Sequence, residues 1–172
     1  MINLSIRDIR KTMTKNIDYK LWKNTQTTNC FAFVMGLDIP ERNICTYAYN
    51  LGVFAFETGY KTYSQMKSFE EEFRGDLEAL GIPYETSGET GLLCSLKRSD
   101  GRYVDILFFI DDRDMWNMDF HFAKFGKDGK LYHKWGFSES PCETTLEEIK
   151  EEGYRFIRRY RLYLSKGPKK RK

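Results

Sequence analysis

Histidine is nearly absent from this chain. Among 172 residues there are two, His121 and His133. Any imidazole chemistry is therefore confined to one short segment. Cysteine is sparse as well, at Cys30, Cys45, Cys94 and Cys142. No two of these stand in a Cys-x-x-Cys spacing, which excludes a zinc ribbon and a thioredoxin-type redox pair. No stretch approaches the roughly 18 apolar residues of a membrane helix. The segment from Met1 to Asn16 is polar and mixed in charge, with no apolar h-region. A secretory signal peptide is not expected, so the protein is expected in the cytoplasm, or exported without a signal peptide. Its cysteines are expected as free thiols, with Cys45, Cys94 and Cys142 structural. There is no internal repeat and no low-complexity linker.

What is present is an ordinary globular balance rich in rings. Hydrophobic residues make up 41%, charged residues 31% and aromatics 16%, with 13 Phe and 11 Tyr. That excludes wholesale disorder and favours strands around a bulky core. The length suits one domain, read as residues 1–165, with a basic tail over 166–172. The net charge of +3 is local to that tail, where Lys166, Lys169, Lys170, Arg171 and Lys172 crowd together. The body is slightly acidic. Nucleic acid and membrane are therefore not expected partners, and the tail reads as a solvated, mobile end.

The pattern along the chain predicts helices, then a sheet, then a closing helix. Residues 1–28 read as a helical or irregular lead-in. Asn29 can cap a helix that opens at Cys30 and ends near Gly36 and Pro40. A second helical piece is read from Ile44 to Phe56. Ser68 to Leu80 reads as an amphipathic helix, with Ser68 and Glu71 as a capping box and Gly81 as the stop. Leu92–Lys97 and Tyr103–Ile110 read as strands around a Ser99-Asp100-Gly101 turn. Asp119–Phe125 and Lys130–Trp135 read as a hairpin around Gly126–Gly129. Thr144 with Glu147 reads as a capping box for a terminal helix that carries Ile149, Phe156, Ile157, Tyr160 and Leu164 on one face. Its arginines are then expected to point outward. The charge runs Glu70–Glu72 and Asp111–Asp114 read as solvated faces. The class is α+β.

One constellation suits nucleophilic chemistry. A cysteine in the first turn of a helix faces unpaired N–H groups and a partial positive charge, which favour thiolate. Such a thiol needs an imidazole base and a group that orients the base. His121 can be the base. His133, across the hairpin, is expected close to opposite it, depending on the loop register, and cross-strand neighbours sit roughly 4.5–5.5 Å apart. Asp119, two residues before His121 on the same strand face, is a rival orienter. Gln26, four residues before Cys30, can donate to an oxyanion. A zinc set of the two histidines, Cys30 and Asp119 is the alternative, although no recognised ligand spacing supports it.

Thr28-Asn29-Cys30-Phe31-Ala32-Phe33, with Asp119-Phe120-His121-Phe122 and Tyr132-His133-Lys134, resembles the papain-like cysteine hydrolases of the NlpC/P60 and CHAP type. The likeness lies in two short patches, around Cys30 and over His121–Gly136. It implies N-terminal helices packed on an antiparallel sheet, with Cys30 as nucleophile, His121 as base and His133 as orienter. It implies a peptide or isopeptide substrate, peptidoglycan peptide included, and no cofactor. A catalytically inactive binding or inhibitor protein on the same scaffold, with a protein partner, is the alternative reading.

Overall fold

The computed structural model describes residues 29–36, 51–52, 68–88, 102–114, 118–136 and 140–164. The lead-in over 1–28, the strand expected at Leu92–Lys97 with its turn, Cys45, Cys94 and the basic tail lie outside them. So does the helical piece expected from Ile44 to Phe56, apart from Leu51 and Gly52, which form a turn.

The described elements are α1 (Cys30–Val34), α2 (Phe69–Ala79), β1 (Tyr84–Ser87), β2 (Tyr103–Asp111), β3 (Asp119–Phe125), β4 (Leu131–His133), β5 (Cys142–Thr144), α3 (Leu146–Glu151) and β6 (Arg155–Tyr163). The strands form one antiparallel six-stranded sheet in the order β1-β6-β2-β3-β4-β5. The class is α+β, as the pattern predicts.

β2 is apolar on both sides because both sides are covered. Val104, Ile106 and Phe108 join Phe122, Tyr132, Tyr160 and Leu162 in one core with α1 and α2. Leu107 and Phe109 join Ala123, Leu131, Phe156 and Ile149 of α3 in a second core on the other face. Phe73 of α2 is the hub of the first, with its ring centre 4.8 Å from Phe122, 4.9 Å from Tyr160 and 6.2 Å from Phe31. The Ser68 hydroxyl caps α2 by accepting from Glu71 N at 3.3 Å. Gly81, at φ 57°, follows the helix end.

Four expectations need correction. The terminal helix is mostly strand. α3 stops at Glu151, Gly153 takes φ 100°, and β6 runs from Arg155 to Tyr163. The spacing Phe156–Tyr160–Leu164 satisfies a helical i, i+4 rule, but in the strand only Tyr160, Leu162 and Leu164 share a face, and Phe156 lies on the other. Leu162 and the alternating arginines match the strand period instead. Arg159 is accordingly buried rather than outward. The capping box lies one residue later than read: Thr145 and Glu148 form it, while Thr144 ends β5 opposite Leu131. Cys142, read as structural, is exposed on β5. The Glu70–Glu72 run is not a solvated face, because Glu72 is buried and Glu70 accepts from Arg74, Arg158 and Tyr160.

β6 carries one extra residue. Phe108 pairs with Arg158 and Phe109 with Phe156, which leaves Ile157 as a bulge. The bulge turns Phe156 to the second core while Tyr160 and Leu162 serve the first.

Gly153 makes the helix-to-strand corner. A Cβ there would land on the Arg113 guanidinium, which is held by Asp111 and the Glu152 carbonyl. Arg113 is exposed and can swing aside, so the backbone decides the cost. Gly153→Ala is expected to lose roughly 1–2 kcal/mol through the positive φ alone. Urea unfolding checks this, and an equal loss in an Arg113→Ala background separates backbone strain from the side-chain clash.

Candidate active site

α1 is short, and it is held at both ends. Asn29 Oδ1 accepts from Ala32 N at 2.9 Å. At the other end Lys124 Nζ, from β3, donates to Phe33 O at 3.1 Å and lies 4.2 Å from the centre of the Phe33 ring. An acceptor at the amino end and a cation at the carboxyl end satisfy groups that a five-residue helix leaves unpaired. The helix begins at Cys30, as the sequence predicts.

This clamp brings Cys30 to an edge of β3. β4 pairs with β3 only from Ala123 to Phe125. Gly126 N donates to Lys130 O across the hairpin, so by alternation the even residues of β3 turn their backbone groups toward the β4 side. Upstream of the pairing, Cys30 Sγ donates to Phe120 O at 3.9 Å, a long contact. The thiol thus stands where the next ladder partner would come.

Burial pushes the Cys30 thiol up to about 12, against a smaller downward pull from the backbone N–H groups of Phe122, Phe31 and Cys30 itself. The helix-terminus argument alone expects a lowered value. The difference arises because Cys30 is only 6% exposed, and removing water from a thiolate costs more than a few N–H groups return.

His121 leaves β3 on the opposite face. Phe120 and Phe122 pack toward α1 and α2, and His121 alternates with them beside Asp119 and Ala123. His133 pairs with Ala123, so it is the diagonal neighbour of His121 on the same face. His121 Nε2 and His133 Nδ1 are 3.0 Å apart, with the rings nearly perpendicular at 87°. The shared face is the expected one, but the two histidines are diagonal rather than directly opposite neighbours. One such bond needs one proton, so it suits two neutral rings or a single imidazolium. Burial, and then the neighbouring His133, holds His121 down to about 3. Burial holds His133 down to about 4, partly offset by Glu148.

The other expected residues divide. Asp119 accepts from Tyr154 Oη at 2.7 Å and from Phe120 N at 2.8 Å, so it is turned to the phenol rather than to the imidazole. Of the two orienters, His133 is the one that reaches His121. Gln26 lies outside the described residues. The expected direct contact between Cys30 and His121 is not made: the sulfur sits at the strand edge by Phe120 O, and strand alternation carries the imidazole to the far face. Among the described residues no group of three or more His, Cys, Asp or Glu is placed to hold a metal ion, so the zinc alternative finds no geometry there.

Sequence reasoning missed the rings around His121. Trp135 stacks on it at 4.3 Å with the planes 25° apart, and Tyr154 lies at 5.2 Å. Trp135 follows His133 by two residues, so the strand period places it on that face. Tyr154 was hidden by the helical reading of the C-terminal segment. In comparisons with known proteins, the sequence matches no family model and no curated protein. No helix among the described residues is long and apolar enough to cross a membrane.

Proposed function

We propose that the protein is a thiol-dependent hydrolase or amidase on a papain-like scaffold of the NlpC/P60 or CHAP kind. Its substrate is a peptide or isopeptide bond, peptidoglycan peptides included. The observation that carries the reading is the 3.0 Å bond between His121 Nε2 and His133 Nδ1. In the tautomer in which His121 Nε2 donates to His133, Nδ1 carries no proton and is the atom that takes one from a nucleophile. The step requires a movement: Cys30 sulfur leaves the Phe120 carbonyl and comes round the β3 edge beyond the β4 pairing to meet His121, a contact absent from the resting arrangement, and it then attacks the substrate carbonyl carbon. Its proton passes to His121 Nδ1 and then to the leaving amine. Water, activated by His121, releases the acyl group. His133 orients the base, the Cys30 N–H donates to the oxyanion, and Gln26 is the second donor that the sequence alone offers. The chemistry requires no cofactor.

A specific observation favours a second reading, an inactive binding or inhibitor protein on the same scaffold. Burial keeps both the Cys30 thiol and the two imidazoles neutral.

Alkylation by iodoacetamide at pH 6.5, mapped by peptide mass, separates the two. The hydrolase reading expects Cys30 to react faster than exposed Cys142, which serves as the ordinary thiol. His121→Ala is expected to slow Cys30 roughly tenfold or more, and His133→Ala less. An inert Cys30 in a folded chain whose Cys142 reacts normally would establish the binding module instead.

A further inference from the structure

His121 is enclosed by rings rather than by carboxylates. Trp135 covers it nearly face to face at 4.3 Å, Tyr154 lies at 5.2 Å and Phe109 at 6.4 Å. Trp135 also meets His133 edge-on at 4.5 Å and lies 5.8 Å from Tyr154. It therefore touches both partners of the His–His bond. The carboxylates nearby are occupied elsewhere. Asp119, on the same strand face, accepts from Tyr154, and Asp111, opposite it on β2, is bound to Arg113. Glu148 of α3, beyond His133, is held in its capping box. Cys30 approaches from α1 at the strand edge.

When His121 accepts the thiol proton, the S–H bond breaks, an N–H bond forms at Nδ1, and a positive charge appears on a buried ring. An ordinary site answers that charge with a carboxylate. Here what faces the ring is an indole. The negative face of an aromatic ring attracts a cation, and indole does so best. We propose that Trp135 is a positioning residue of the candidate site, whose indole face stabilises the imidazolium of His121 as the thiol proton is transferred. The inference rests on the Cys30–His121 reading above and adds the partner that answers the charge.

Fluorination tests it, because each fluorine weakens the ring's negative face with almost no change of shape. The full chain is produced with ordinary tryptophan, 5-fluorotryptophan or a difluorinated tryptophan at all three tryptophans, Trp22, Trp116 and Trp135. Iodoacetamide alkylation of Cys30 is read at pH 6.5. The rate is expected to fall stepwise with fluorine, by about threefold to tenfold in all. The dependence is expected to vanish in a His121→Ala chain, where no imidazolium forms. It is also expected to vanish in a Trp135→Phe chain, whose remaining tryptophans are fluorinated as before. A rate indifferent to fluorine, with His121→Ala still slowing the reaction, overturns the role of Trp135 and leaves the hydrolase reading intact. The same fluorine dependence in all three chains also overturns it, since the effect then bypasses both residues. A His121→Ala chain that reacts as fast as the parent removes the hydrolase reading itself.

Discussion

Asp105→Ala is expected to lower folding stability by about 3–5 kcal/mol. Asp105 is 1% exposed on β2, and its carboxylate holds two arginines of β6. Oδ2 accepts from Arg159 at 2.7 Å and Arg161 at 2.9 Å, and Oδ1 accepts from Arg161 Nε at 2.8 Å. Arg161 can turn toward water, since its side chain is 20% exposed, but the Arg159 side chain at 4% cannot. Removing the carboxylate therefore takes from a buried guanidinium the charge that Asp105 supplies, which is the costly way to break such a pair. Asp105→Asn keeps an acceptor and loses the charge, so its loss is expected to be roughly half. The pair Lys130–Glu143, with both side chains about half exposed, sets the contrast. Glu143→Ala is expected to cost less than about 1 kcal/mol. Urea unfolding of the three variants gives the ranking. An Asp105→Ala loss below that of Glu143→Ala would show that the β2–β6 pairing does not depend on this network.

Acidification from pH 7 to pH 5 is expected to remove about 2–4 kcal/mol of stability, most of it through the two histidines. Both are buried, and burial holds their protonation well below the ordinary imidazole value, to about 3 for His121 and about 4 for His133. The unfolded chain takes up protons as pH falls through about 6.5, while the folded chain does not. Stability is therefore complete above about pH 6.5 and declines as pH falls toward about 4, by up to about 1.4 kcal/mol per pH unit for each ring. Two protons on the pair would also oppose N–H to N–H where one bond now stands. Urea unfolding at pH 7, 6 and 5 measures the slope. His133→Gln is expected to flatten it by roughly half, and ring NMR of the parent is expected to show both imidazoles neutral at pH 5.5. A His121 midpoint near 6.5 in the folded chain would contradict this.

The sequence made the site's local parts legible and hid its long-range ones. Asn29 and the apolar run after it announce a capped helix at Cys30, because capping is a matter of three residues. The Gly126–Gly129 turn fixes the hairpin register, and with it the shared face of His121 and His133. What the sequence could not disclose is where α1 lands. That depends on Lys124 meeting Phe33 O, ninety-one residues apart in the chain. The burial of Cys30, which reverses the direction expected for its thiol, follows from that docking. The C-terminal strand is hidden in the sequence for a different reason. Phe156, Tyr160 and Leu164 stand at helical spacing, and only pairing with β2, with its bulge at Ile157, sends Phe156 to one face and Tyr160 and Leu164 to the other.

The bulge at Ile157 makes β6 two half-strands written in one line. Upstream of it the strand addresses the histidine face, and downstream the face of α1 and α2. The distance in sequence from Tyr154, beside His121, to Tyr160, beside Phe73, is therefore a fixed length. Substitution within it changes packing by degrees. One residue more or fewer exchanges the arginine side for the aromatic side along everything that follows. In evolution this stretch is expected to drift in its letters while keeping its count. Distant relatives are then recognisable by that interval, together with the spacing of the two histidines, more readily than by shared residues.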